Sequence, residues 1–260
     1  MSAGLEHAYG HRVNIQAGPW ISTVLAKVSS PKTSHPDVMA LVRTVYAKLM
    51  ADVMGAEMPK RQAAVQTRMA EQHPEAGIWS GSILDPGQRL VVVDVVRGGI
   101  VPAQVCFEAA TLLLPLEHLR LDHLTMARHA GADGHVDGVD LAGSKVGGSI
   151  EGATLLIPDP MGATGSTLVR ALGHLIESYG RPRLIVAMPM IATPEFLRTV
   201  LGAYENLVVY AGRVDRGLSS KAALAEPHGT LWDEEKGLDD HDYIVPGAGG
   251  VGEVLNNSWC

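Results

Sequence analysis

Residues 159–167 bring an acid, a turn of small residues and three hydroxyls together in nine positions. Before them Thr154-Leu155-Leu156-Ile157 is apolar and has the make-up of a strand. After them Leu168-Val169-Arg170-Ala171-Leu172 reads as a helix. The link is Pro158-Asp159-Pro160-Met161-Gly162-Ala163-Thr164-Gly165-Ser166-Thr167. A junction of this kind aims several backbone N–H groups, and the hydroxyls of Thr164, Ser166 and Thr167, at the positive end of a helix dipole. That is a ready site for a phosphate. Asp159, at the strand's end, is placed to hold ribose hydroxyls, so the segment suits a phosphorylated sugar. The plainer reading of Gly-Ser-Thr after a strand is a helix N-cap.

A second candidate is Arg97 with Gly98 and Gly99, closing the apolar run Val91-Val92-Val93-Asp94-Val95-Val96. A guanidinium is a planar fork for phosphate oxygens, and two glycines let backbone N–H groups approach an anion closely. Standing alone, such an arginine is more often a salt-bridged strand end. The third is Tyr243-Ile244-Val245-Pro246-Gly247-Ala248-Gly249-Gly250-Val251-Gly252 near the C-terminus. It contains G-x-G-x-x-G, but only eight residues follow it, too few for the βαβ unit a dinucleotide site needs.

These three segments, in this order, resemble the uracil phosphoribosyltransferases. Asp-Pro-Met-x-Ala-Thr-Gly is similar to that family's loop for phosphoribosyl pyrophosphate (PRPP). Arg97-Gly98-Gly99 is similar to its Leu-Arg-Ala-Gly strand end, and 243–252 to its Tyr-Ile-Val-Pro-Gly base loop. His123-Leu124-Thr125-Met126-Ala127-Arg128 is a looser match to the stretch carrying a second pyrophosphate-binding arginine. The resemblance spans residues 34–252 and implies a type I phosphoribosyltransferase fold, α/β, with a central parallel sheet flanked by helices and a small hood built from terminal segments. Residues 1–34 then form an N-terminal arm and 35–260 the phosphoribosyltransferase domain.

The activity implied is transfer of ribose 5-phosphate from PRPP to uracil or a uracil-like base, with Mg²⁺ arriving through PRPP. No metal ligand of the protein's own is expected, and the resemblance implies a homodimer. The roles carried over are Asp159 and Arg97 at the reacting sugar and its leaving group; Gly98, Gly99, Arg128, Pro160, Met161, Gly162, Ala163, Thr164, Gly165, Ser166 and Thr167 around PRPP; and Ile244, Gly249, Gly250 and Val251 around the base. Three positions depart from the family: Gly250 replaces an acid, Ser166 takes a glycine position, and 129–152 does not follow the family's Tyr-Arg-Asp-Glu continuation. They leave open a different base, such as a modified pyrimidine or a purine analogue. A protein that binds PRPP or a nucleotide without turnover is also left open.

The supporting elements follow from pattern. At 260 residues the chain can bury one α/β core. With 46% hydrophobic but only 5% aromatic residues and 29 glycines, that core is aliphatic, which fits a parallel sheet better than a sandwich. A net charge of −7 without a basic run argues against nucleic acid as a partner. No stretch of eighteen apolar residues or signal-like N-terminus occurs, which points to no membrane partner and a cytoplasmic location. The two cysteines, Cys106 and Cys260, make no motif.

Helices are expected from residue 35 onward and over 102–114, 168–179 and 194–201, with strands over 90–96, 119–126, 154–157, 184–190 and 207–210. Residues 77–87 read as loop, and 129–152 as a flap or short hairpin. Asp94 reads as a buried, hydrogen-bonded acid without a catalytic part. His129, Asp133, His135 and Asp137 lie in a glycine-rich stretch and read as solvated rather than metal-binding. There is no P-loop and no G-x-S-x-G elbow.

Overall fold

Four short runs, rich in aliphatic residues, form the middle of the protein: β4 (Leu90–Val96), β7 (Thr154–Ile157), β9 (Leu184–Ala187) and β11 (Leu207–Ala211). Their β-branched side chains are stiff and pack well on a pleated surface. Most are buried on both faces, as a sheet covered on two sides requires. The computed structural model describes residues 4–130 and 136–258, with side chains for 4–126 and 142–258.

The main sheet has the order β1-β11-β9-β7-β4-β5-β6, adding β1 (Val13–Ile15), β5 (Leu119–Ala130) and β6 (Val136–Lys145). It is parallel throughout except for β6, which runs antiparallel to β5. Side-chain alternation divides the core in two. Leu90 and Val92 face α1 (Pro19–Ser29), α2 (His35–Glu57), α3 (Ile100–Thr111) and α7 (Val251–Asn256). Val91, Val93 and Val95 face α4 (Ser166–Tyr179) and α5 (Pro194–Ala203).

From β4 the chain crosses by α3 to β5 on one side. From β7, on the other side of β4, it crosses by α4 to β9. The crossovers diverge, so β4 and β7 flank the switch point of the sheet, where a crevice opens outside the carboxyl ends. Each of β7, β9 and β11 then continues into a two-residue strand: β8 (Met161–Gly162), β10 (Ile191–Ala192) and β12 (Arg213–Val214). These pair in parallel in the order β12-β10-β8, a second tier above the main sheet.

Several expectations are corrected. The segment before residue 35 is not a loose arm: β1 pairs with β11, and Ile21, Val24, Leu25 and Val28 of α1 are buried in the core. Residues 77–87 are not all loop, since β3 (Ile78–Leu84) pairs with β2 (Lys60–Gln66) as an antiparallel hairpin. Its residues are mostly exposed, so no apolar alternation marks it in the sequence. The 129–152 stretch includes the rest of a long β5–β6 hairpin. Of the metal-like cluster there, Asp133 and His135, and the side chains of His129 and Asp137, lie outside the described residues, as does Cys260. The expected hood has a counterpart in the ends of the chain: Tyr9 donates its hydroxyl to Glu235, and Ala8 N–H to His228 O at 2.7 Å. Among the described residues, no helix is long and apolar enough to cross a membrane.

Asp94 is buried within β4, as expected of it, and has a partner the sequence did not suggest. The strand register sets it beside His123 of β5, and the two are joined at 2.8 Å between Asp94 Oδ2 and His123 Nδ1. Oδ1 is buried without a hydrogen-bond partner. Burial raises the Asp94 pKa, and the hydrogen bond and charge of His123 oppose that rise. A carboxyl whose folded pKa lies above its unfolded one stabilises the fold most below the ordinary carboxylate range and loses this as pH rises through the folded pKa. Asp94→Asn is therefore expected to gain in melting temperature relative to the parent as pH goes from acid to neutral. Thermal melts of both proteins across that range check this, and parallel profiles would show that the carboxyl is not desolvated.

Candidate active site

The turn after β7 is held from below by α5. Gly162 faces the Phe196 ring, where a Cβ would lie 3.0 Å from Cγ. Gly165 has φ +82°, and a Cβ there would lie 3.0 Å from Val200 Cγ1. Both positions need glycine, the second for its left-handed backbone as well. Thr193 caps α5 by accepting from Phe196 N–H at 2.9 Å, and donates its hydroxyl to Ala163 O at 2.6 Å. The turn is thus fixed before any ligand binds. At its top, Ser166 begins α4, Thr164 and Ser166 share a hydrogen bond at 2.8 Å, and Ser166 N–H reaches Thr164 Oγ1 at 3.3 Å. These hydroxyls therefore stand beside the first-turn N–H groups of α4.

Asp159 accepts from Met161 N–H at 3.3 Å and is half-buried. Below it Tyr46 is fully buried and donates to Met188 O at 3.0 Å. Its pKa is pushed up first by burial and further by the Asp159 charge.

The Arg97 loop meets this turn directly. A Cβ on Gly98 would lie 3.3 Å from Pro160 Cγ and 3.6 Å from Asp159 Oδ1. Gly99 begins α3 against β4, leaving no room for a side chain: a Cβ would stand 2.8 Å from Val95 N and 2.9 Å from Asp94 Oδ1. The Arg97 guanidinium donates to Ser258 Oγ at 3.1 Å and pairs with Glu253 at 4.0 Å. Both side chains of that pair are about one-third exposed, at 37% and 34%.

The 244–251 loop covers the same end of the sheet. A Cβ on Gly252 would be 4.0 Å from Gly98 Cα, so the start of α7 lies on the Arg97 loop. Ile244 is buried and packs into the core. Gly249 has φ +66° with open space around it. Val251 is buried, and its N–H is already given to Gly249 O at 3.0 Å. A Cβ at Gly250 would overlap the Glu253 carboxylate, which fills that space instead.

The structure therefore gathers Arg97, Gly98, Gly99, Asp159, Pro160 and the C-terminal loop at one end of the sheet. Arg128 belongs to β5 by its backbone, and its side chain lies outside the described residues.

Three acids and a base not singled out in the sequence hold loops here. Glu253 pairs with Arg97, Arg213 and Asp215 bind Gly247, and Glu195 accepts from Gly237 N–H at 2.9 Å. Their only sequence signals are single charges near strand and helix ends.

Comparison with known proteins identifies the family and the fold. The uracil phosphoribosyltransferase family profile matches residues 15–230. A uracil phosphoribosyltransferase of a Nostoc species is 25% identical over 245 residues, which are 94% of this chain and 96% of that protein. One from Thermococcus gammatolerans is 31% identical over 100 residues, 38% of this chain and 35% of that protein. A solved structure of an Aquifex aeolicus protein shares the fold with a TM-score of 0.69 at 19% identity, covering 94% of this chain and 97% of that one. The profile covers most of the sequence, and the chain belongs to the uracil phosphoribosyltransferase family.

Proposed function

We propose that the protein transfers ribose 5-phosphate from PRPP to uracil or a uracil-like base and releases pyrophosphate. The observation that carries this is the contact between the Gly98 and Asp159–Pro160 loops at the switch point, with a glycine-rich C-terminal loop against them. In this reading the start of α4 takes the 5′-phosphate, Asp159 the ribose hydroxyls, and Arg97 with Gly98 and Gly99 the pyrophosphate. Arg128 would be the second clamp, and exposed main chain near Gly249 would meet the base. Ile244 and Val251 act by holding that loop through burial.

Such a transfer asks for alignment and for charges aimed at the departing pyrophosphate, more than for covalent chemistry by the protein. Mg²⁺ bound with PRPP would supply further neutralisation. The Asp159 and Glu253 carboxylates are oxygen donors of the kind it prefers, on either side of the Arg97 loop, so the residues fit it. One observation favours a second reading, transfer to a different base. At Gly250 the loop presents no side chain, and the Glu253 carboxylate occupies that space.

PRPP binds only the folded state in this reading, so it must raise the melting temperature. At a hundred times its dissociation constant the gain is about 2.7 kcal/mol, or about 5 to 10 °C for a chain of this size. No shift at millimolar PRPP would remove the whole proposal. Pyrophosphate release with PRPP, Mg²⁺ and a panel of bases then identifies the acceptor. Turnover with uracil supports the first reading and turnover with another base the second, while tight PRPP binding without product marks a sensor.

Arg97→Ala is expected to cut kcat on the order of 10²-fold, because its charge is needed most as pyrophosphate departs. Steady-state kinetics check this, and an unchanged kcat with only weaker base affinity would misplace Arg97.

A further inference from the structure

We propose that Arg213 and Asp215 are the positioning residues of the base loop, clasping it at Gly247 and tying it to helix α1. The inference rests on the base-binding role proposed for residues 244–251. Arg213 Nε donates to Asp215 Oδ1 at 2.6 Å, and Nη2 to Oδ2 at 2.9 Å. Both members then continue into the same residue. Asp215 Oδ2 accepts from Gly247 N–H at 2.8 Å, and Arg213 Nη2 donates to Gly247 O at 3.0 Å. The peptide groups on either side of Gly247 are therefore both fixed. Arg213 Nη2 also donates to Ser29 Oγ at 2.9 Å, and Ser29 is the last residue of α1.

The loop needs such a clasp. Gly247 has φ +58°, and a Cβ there would overlap Ile244 O, so this position, between the buried Ile244 and Val251, has no side chain of its own to anchor it. Gly249 and Gly250 follow with none either. At such glycines the backbone is held by its hydrogen bonds, while the buried Ile244 and Val251 fix the loop's ends. Asp215 is 5% exposed, so its bond to Gly247 is made away from water, where a lost partner is costly. The clasp also shares a foundation with the phosphate turn. Arg213 is in β12, which pairs with β10, which pairs with β8 at Met161 and Gly162.

A buried ion pair adds little net stability against an apolar substitute, but a guanidinium fork fixes direction in a way an ammonium cannot. Arg213→Lys keeps a cation beside Asp215 yet cannot reach Asp215, Gly247 and Ser29 together. Ser29→Ala removes only the tie to α1. The test compares both variants with the parent in two measurements, amide hydrogen exchange of 244–250 in the free protein and the KM values for uracil and PRPP.

Loss of a charge-assisted hydrogen bond corresponds to about a tenfold effect. Arg213→Lys is expected to speed exchange in the loop and raise the KM for uracil by about that factor, leaving the KM for PRPP within about twofold. Ser29→Ala should give a smaller change in the same direction. Unchanged loop exchange in Arg213→Lys, or equal rises in both KM values, would overturn the clasp. If the parent turns over no base of the panel, the base-binding reading fails, while the exchange measurement still decides on the clasp. If it turns over another base, the KM for that base replaces the one for uracil.

Discussion

The candidate site depends on the adjacency of β4 and β7 in a sheet buried on both faces. Neither strand can shift register without moving aliphatic side chains from one packed layer to the other. Leu90, Val92 and Leu156 are committed to one layer, and Val91, Val93 and Leu155 to the other. Because the crossovers from these strands diverge, their carboxyl ends are left uncovered side by side. Arg97 is the first residue after β4 and Asp159 the second after β7, and their convergence is a result of topology before it is one of side-chain chemistry.

Around that crevice most of the holding is done by backbone. Gly98, Gly99, Gly162, Gly165 and Gly247 lie where neighbouring atoms leave little or no room for a side chain. Of the charged groups, Glu253 pairs with Arg97, while Glu195 and Asp215 accept the backbone N–H groups of Gly237 and Gly247. Glu253 and Ser258 engage the Arg97 guanidinium, so the cation that the proposed function assigns to pyrophosphate is held by α7 and the chain that follows it. The arrangement suits a reaction whose main demand is a preorganised field around a departing anion.

Much of this was legible in the sequence because it follows short-range rules. The apolar runs at 90–96, 154–157 and 207–210 have the make-up of buried strands, and the residues proposed to hold phosphate and ribose stand together in the turn after Ile157. What escaped depends on partners far away in the chain. The strand Val13–Ile15 has too few residues to announce itself, and it is a strand only because Val209 and its neighbours lie alongside. The hairpin of β2 and β3 shows water on both faces and so has no period to detect. Asp94 was read as buried, but its pairing with His123 is a matter of register between strands. Arg213 and Asp215 are two ordinary charges after a strand until Gly247 folds back onto them. The 123–128 match remains an expectation for Arg128, whose role is part of the proposal.

The pairing of β1 with β11 also bears on the order in which the molecule is made. Synthesis delivers Val13 and Ile15 well before their partners Val209 and Ala211, which lie far along the chain. Until then the apolar side of α1, with Ile21, Val24 and Leu25, has no completed core to enter. Sequence-distant pairings of this kind form late, because the loop between them must be closed before any contact repays it. The nascent chain thus carries an unsheltered apolar segment until those partners emerge, a natural point for chaperone attention or for aggregation.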